Sequence, residues 1–272
     1  FVDLDGDGWK DFISIQAQRI ETFHNDGTGN FNHSTPETNL TSQARRPFSL
    51  AAGDFDVDGD LDLFFTHWGA QLSAQENLTE YLWENDGLGH FSDNSIIAPI
   101  RGTAEDNPTE RSFTPTFADI NSDGYPDLLI SGDFGTSQVL LNDAGTRFLE
   151  QTSSVISDEF GMGGTVADYD NDGDLDWFVS SIFSESGGSI KGSGTGNRLY
   201  QNDGQGHFSD VTEIAGVREG GWGWGSCFAD FDNDGNTDLF HTNGWNIDAH
   251  MEDPSRLFMA NGDGTFSEKA TE

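Results

Sequence analysis

The sequence predicts an all-β protein, a β-propeller built of four-stranded blades of about 60 residues. Three observations carry this: a D-x-D-x-D-G loop recurs five times, once with Asn in place of its second Asp, an Asn-Gly hairpin alternates with it, and no long helical pattern competes. Internal repeats of such length, made of short strands that cannot bury their faces alone, stack as propeller blades. A solenoid of short sheets is the other way to stack them. The repeats fall approximately at 1–48, 49–112, 113–162, 163–222 and 223–272, as one domain or a segment of one.

The first element of each repeat is the acidic loop. In "DYDNDGDLDWFVSS", residues 168–181, five carboxylates occupy nine residues and run straight into an apolar stretch. Neighbouring carboxylates repel unless a cation sits among them or their pKa values rise. A hard divalent ion is the simplest neutraliser, because alternate residues of a tight loop can face one ion and the glycine permits the turn. The expected ligands are the side chains at loop positions 1, 3, 5 and 9 and the backbone carbonyl at position 7. They are Asp3, Asp5, Asp7 and Asp11 with Trp9, then Asp54, Asp56, Asp58 and Asp62 with Asp60. The third set is Asp119, Asn121, Asp123 and Asp127 with Tyr125, and the fourth Asp168, Asp170, Asp172 and Asp176 with Asp174. The fifth is Asp230, Asp232, Asp234 and Asp238 with Asn236. The cofactor expected is Ca2+, about five ions, one per repeat. Asn121 leaves the third loop with the least charge, so it is expected to be the weakest site.

An EF-hand begins similarly but needs a bidentate Glu at position 12 and flanking helices. Position 12 here is Ser14, Phe65, Ile130, Val179 or His241. The loops lead into "DFISI", "DLFFT", "DLLIS", "DWFVS" and "DLFHT", short apolar runs that read as buried strands.

The hairpins come next: "HNDGTGNF", "ENDGLGHF", "LNDAGTRF", "QNDGQGHF" and "ANGDGTF". Asn-Asp-Gly supplies the positive φ angles that tight turns demand. Each hairpin follows an apolar run and ends on an aromatic residue expected to be buried: Phe31, Phe91, Phe148, Phe208 and Phe266. Each unit therefore reads strand, acidic loop, strand, variable connection, strand, hairpin, strand.

The 272 residues carry a net charge of −36 with only 12 Lys plus Arg, and five divalent ions would bring this to about −26. The 22 phenylalanines argue against an acidic disordered chain. Nucleic acid needs a basic footprint, so it is excluded as a partner, and anionic membranes are repelled likewise. No apolar run suffices for membrane insertion. The single cysteine, Cys227, reads as small core filler on an inner strand. Calcium loops of this kind bind weakly and suit millimolar extracellular calcium, which places the protein as secreted or at the cell surface.

The alternating D-x-D-x-D-G-x-x-D loops and N-D-G-x-G-x-F hairpins resemble the FG-GAP or VCBS repeats of integrin α-subunit-like propellers. Residues 208–244, "FSDVTEIAGVREGGWGWGSCFADFDNDGNTDLFHTNG", resemble more narrowly the ASPIC/UnbV group. The resemblance covers all five repeats and implies a calcium-stabilised propeller, usually seven-bladed, in adhesion, matrix or glycan-binding proteins. Five repeats, with no inner strand before Asp3, imply a segment of a longer protein, a five-bladed ring, or closure by another chain.

Ligands are expected on the connections 67–81, 101–114, 183–198 and 241–256, which are long for their places. Aromatic and polar groups gather there at His67, Trp68, Trp245, Asn246, Asp248 and His250, suited to stacking on a glycan or gripping an extracellular or surface protein. Trp222 and Trp224 alternate at strand spacing and read as inter-blade core. The favoured function is thus a non-catalytic recognition or adhesion module. The alternative is a carbohydrate-active lyase or dehydratase with a metal centre at His67, His241 or His250, although H-E-x-x-H, G-x-S-x-G and P-loop motifs are missing. Outside such a centre, these histidines read as polar residues on exposed turns.

Overall fold

The computed structural model describes residues 1–16, 19–40, 47–69, 81–98, 111–184, 194–246 and 251–269. Within them the chain is all-β, in five successive antiparallel sheets of the propeller-blade type. The first has three strands, β1 (Phe12–Gln16), β2 (Arg19–Asn25) and β3 (Phe31–His33), with a lone bridge from Val2 to Asp11 beside it. The second is β4 (Ser49–Gly53), β5 (Asp62–Thr66), β6 (Leu82–Asn85) and β7 (Phe91–Asp93). The third is β8 (Ser112–Ala118), β9 (Asp127–Gly132), β10 (Gln138–Asn142) and β11 (Phe148–Glu150). The fourth is β12 (Gly164–Ala167), β13 (Asp176–Val179), β14 (Arg198–Asn202) and β15 (Phe208–Asp210). The fifth is β16 (Gly223–Ala229), β17 (Asp238–Asn243), β18 (Arg256–Ala260) and β19 (Phe266–Glu268). Every strand pairs with its sequence neighbour. Among the described residues the pattern is interrupted by short helices alone, α1 (Thr35–Thr38), α2 (Thr212–Ala215) and a single 3-10 turn at Ser95–Ile97.

The chain divides into two compact units, one comprising Phe1–Phe117, Tyr125–Leu128 and Leu140–Glu150, the other Ala118–Gly124, Leu129–Val139 and Gln151–Glu272. The first is centred on Leu4, Ile20, Leu40, Leu63, Phe65, Trp83 and Phe91. The second is centred on Tyr169, Phe178, Leu199, Leu239, Phe258 and Phe266. Strands β5, β9 and β13 are buried at every residue. That is why "DLFFT", "DLLIS" and "DWFV" are continuous apolar runs and not alternating ones.

The residue at loop position 2 is the knob of this packing. Phe55 meets the closing Phe148 of the next sheet at 6.2 Å between ring centroids, and Tyr169 stacks on Phe266 at 5.9 Å. Leu4 and Phe91 share the first core. The same two positions break the rule at the first and fifth sheets: Phe31 is 43% exposed and Phe231 is 46% exposed. The expectation that Phe31 is buried fails: its ring stands half-exposed against Phe1 and Phe12. Cys227 is also exposed and not core filler. Along β16 the burial alternates, and Cys227 falls on the solvent face with Gly225 and Ala229, while Phe228 turns inward onto Phe178.

Strand direction fixes the two edges of each blade. The acidic loop joins strands one and two, the hairpin joins strands three and four, and both therefore sit at one edge. The variable connections leave strand two and enter strand three at the opposite edge, where the described residues 67–69, 180–184, 194–197 and 244–246 lie.

Candidate functional site

Each acidic loop is held open by its own backbone. The position 1 carboxylate spans the turn: Asp54 accepts from the amides of Asp58 at 3.0 Å and Gly59 at 3.0 Å, Asp168 from Asp172 and Gly173 at 3.1 Å each. Asp119 and Asp230 repeat this arrangement, and Asp3 accepts from Gly8. Position 5 accepts from position 7 through Asp7, Asp58, Asp172 and Asp234. The turn requires left-handed backbone at positions 4 and 6. Position 6 is always glycine, but position 4 includes Val57 at φ 62°, a conformation that a β-branched residue adopts only under constraint.

This scaffold gathers carboxylates. Asp3, Asp5 and Asp7 converge, as do Asp54, Asp56 and Asp58, then Asp230, Asp232 and Asp234. In the fourth loop Asp176 joins Asp168, Asp170 and Asp172, each group offering ligand atoms within 4.8 Å of one another. Three of the carboxylate oxygens, Asp3 Oδ1, Asp56 Oδ1 and Asp170 Oδ1, are buried without a hydrogen-bond partner. Burial first, then the neighbouring carboxylates, raises the pKa of Asp56 and Asp170. Asp5 and Asp232 are raised for the same first reason.

The position 9 aspartate is also a clamp between strands. Asp62 accepts from Phe55 N at 3.1 Å and from Asn85 N at 2.9 Å, and Asp176 accepts from Tyr169 N at 3.2 Å and Asn202 N at 2.9 Å. Asp11, Asp127 and Asp238 also accept from the strand that carries the hairpin. Burial pushes Asp62 and Asp176 up to about 7, against the lowering effect of those amide bonds. Position 7 meets the hairpin of its own blade: Trp9 lies against Gly27, Asp60 against Gly87 and Asp174 against Gly204.

Two positions escaped the reading of the sequence. The hairpin asparagine does more than tolerate a turn. The side-chain amides of Asn85, Asn142 and Asn202 reach back to the carbonyls of Leu4, Phe55 and Ile120, the position 2 residues of the preceding repeat, at 2.7–2.9 Å. In the fifth hairpin Ala260 stands in that place. The residue before it faces loop position 3: His24 Nδ1 lies 3.0 Å from Asp5, and Gln201 donates to Asp170 at 2.6 Å. Alignment of the hairpins would have exposed both columns.

At the opposite edge the predicted ligand residues separate. His67 is fully buried against Tyr81 at 5.3 Å, and His241 is fully buried between Phe178 and Phe258. Neither is the exposed turn residue expected. Burial lowers His241 to about 4, so it is neutral core at pH 7. Trp68 is half-buried, stacked on Phe113 at 5.6 Å with Arg111 over its ring. Trp245 is 42% exposed and Asn246 is exposed beside it. His250 and Asp248 lie outside the described residues, as do most of 67–81 and 183–198 and all of 101–110.

Trp222 and Trp224 hold the inter-sheet position through their backbones, Trp222 bridging to Ile182 and the Trp224 carbonyl accepting from Ser180 Oγ. Their rings do something else. Trp245 stacks on Trp222 at 5.5 Å and 18° and meets Trp224 at 5.4 Å and 38°. Trp224 Nε1 donates to Gly244 O at 2.9 Å, and Asp253 accepts from Trp222 N at 2.9 Å, which fixes the platform under Trp245.

A family model described as FG-GAP-like repeat matches residues 3–65, 119–179 and 187–241. Cartilage acidic protein 1 of Homo sapiens is 27% identical over 195 residues, which are 68% of this chain and 27% of that protein's length. It is a member of the ASPIC/UnbV group that residues 208–244 resemble. The chain thus spans little more than a quarter of that relative. Two solved structures share the fold. An Agrocybe aegerita lectin, studied for specific recognition of non-reducing terminal N-acetylglucosamine, superposes with a TM-score of 0.59 at 17% identity, over 98% of this chain and 64% of the lectin. The V. cholerae biofilm matrix protein Bap1 gives 0.56 at 18% identity, over 99% of this chain and 38% of Bap1.

Proposed function

The chain belongs to the FG-GAP-like repeat family, and from that membership we propose that it is a calcium-stabilised, non-catalytic recognition module that works outside the cell and takes a glycan on a surface centred on Trp245. The observation that carries the glycan reading is the Trp245 platform, an exposed indole face held flat by two others, with Asn246 beside it. Sugars present apolar C–H faces rimmed by hydroxyls, and a rigid indole next to an amide meets both. The shared fold with a lectin agrees with this reading.

The loops fit calcium by their donor set. Apart from His24 beside the first, every side chain offered is an oxygen ligand, which hard cations prefer. The buried, unpartnered oxygens of Asp3, Asp56 and Asp170 are aimed where an ion would satisfy them. Asp3, Asp5, Asp7 and Asp11, and their counterparts in the other repeats, would hold the ions, which supply the positive charge that lets the carboxylates stay ionised at close range. Because the loops and the Trp245 platform lie at opposite edges of the blade, calcium serves stability and not direct ligand contact. Among the described residues no helix is long and apolar enough to cross a membrane, and millimolar external calcium suits such loops. His67 and His241, two of the three histidines on which a catalytic metal centre would rest, are buried, which supports the non-catalytic reading.

The test is a glycan array probed in millimolar calcium with the unmodified chain and with Trp245→Ala. A discrete glycan signal that the substitution abolishes, with an unchanged melting temperature, supports the proposal. A folded chain that binds no glycan, or binds one equally well without Trp245, overturns it.

A further inference from the structure

Five loops of one pattern are not five equal sites, because the residue preceding the hairpin position differs in each repeat. Registering the hairpins by their closing pairs, Asn25 with Phe31 through Ala260 with Phe266, aligns His24, Glu84, Leu141, Gln201 and Met259. Gln201 hydrogen-bonds the position 3 carboxylate Asp170, and Glu84 adds its negative charge to the field at Asp56. Only the first repeat places a nitrogen ligand there.

From this geometry we infer that Asp5, Asp11 and His24 form a site for a borderline transition ion of the zinc type, distinct in metal preference from the other four loops. His24 Nδ1 lies 3.0 Å from Asp5 Oδ2 and 3.3 Å from Asp11 Oδ1. A tetrahedral ion with bonds of about 2.0–2.1 Å spaces its ligands by roughly 3.3 Å, close to the spacing of His24 Nδ1 from each carboxylate, and all three residues offer ligand atoms within 4.8 Å of one another. Calcium bonds are longer and call for six to eight oxygens. Imidazole favours zinc, copper or nickel over calcium.

The remaining surroundings agree. Asp11 is buried, and its two oxygens accept from Leu4 N at 3.0 Å and Asn25 N at 2.9 Å, which fixes the ligand before any ion arrives. The set borders a cavity of about 300 Å³ that His33 and His90 also line, giving an ion a route from solvent.

This inference rests on the reading of the loops as cation sites, and the experiment separates the two. The whole chain is titrated calorimetrically with calcium alone, then with zinc in saturating calcium, and loaded with cobalt as a spectroscopic probe. The expected result is one zinc-selective site at least tenfold tighter than in His24→Gln, a substitution that installs the side chain of the fourth repeat. Cobalt should show the intense visible absorption of a tetrahedral site in the unmodified chain and lose it in His24→Gln. Zinc binding unchanged in His24→Gln but lost in His33→Gln or His90→Gln overturns the inference. So does calcium binding at all five loops with no zinc site, which leaves the parent reading intact. No binding of either metal defeats both.

Discussion

The side-chain amide of Asn85 donates to the carbonyl of Leu4 at 2.9 Å, a bond between residues 81 positions apart. The same amide donates to Leu61 O at 3.0 Å, while Asn85 Oδ1 accepts from Gly89 N at 3.2 Å and its backbone N–H is held by Asp62. One residue therefore ties the hairpin of its blade to the acidic loop of its own repeat and to the loop of the repeat before.

Truncating it should be costly, because one buried and one partly buried carbonyl would lose their donor, at about 1–3 kcal/mol for a stranded buried polar group. Urea unfolding of Asn85→Ala or Asn202→Ala is expected to show a loss of that size. The converse is sharper. Ala260→Asn would give the fifth hairpin the donor it lacks and should raise the unfolding midpoint; a lower midpoint would refute the role assigned to this column.

Chelation is the second test. An ion that binds only the folded chain stabilises it by about 2.7 kcal/mol per site at a hundredfold excess over Kd. EDTA is expected to lower the melting temperature by many degrees, and a melt indifferent to chelator removes the calcium assignment.

The pH dependence should reverse with calcium. In chelator, Asp62 and Asp176 stand at about 7, above the ordinary aspartate value of 3.8. Groups raised on folding stabilise fully below the unfolded value and lose that contribution as pH rises through the folded one. Asp5, Asp56, Asp170 and Asp232 are raised too. His241, lowered to about 4, opposes them with a single proton. The metal-free melting temperature should therefore fall as pH climbs from 5 to 8. Calcium binds the ionised carboxylates, so its stabilising increment should grow over the same interval. Parallel curves with and without calcium would contradict this.

Val57 offers a gain. Its φ of 62° strains a β-branched side chain, and the equivalent position is Asn171 or Asn233 elsewhere. Val57→Asn is expected to stabilise by about 1 kcal/mol, read as a shift of the urea midpoint, and a destabilised variant would show that the valine side chain packs usefully.

Much of this molecule is legible in its sequence because its signals are local and repeated. The fixed spacing of Asp54, Asp56, Asp58 and Asp62 sets a turn, and "DLFFT" after it sets a buried strand. What resisted reading is set by partners distant along the chain. Nothing near His241 announces that Phe178 and Phe258 close over it. Nothing near Cys227 tells which face of β16 meets the neighbouring sheet. Asn85 looked sufficient as a turn former, and its bond to Leu4 could not be inferred from one hairpin alone. Its recurrence at Asn142 and Asn202, with the exception at Ala260, held the clue. The aromatic platform is half legible: the sequence predicts an exposed Trp245 but assigns Trp222 and Trp224, the rings beneath it, to the core.

Those three rings have an optical consequence. Indoles held at 5.4–5.5 Å and at angles of 18° and 38° share their electronic excitations, and a chiral arrangement of coupled transition dipoles produces a paired band in ultraviolet circular dichroism. The protein thus carries a built-in chromophore at the very surface proposed for ligand capture, and any molecule that settles on Trp245 should announce itself in the light the protein absorbs, without a label.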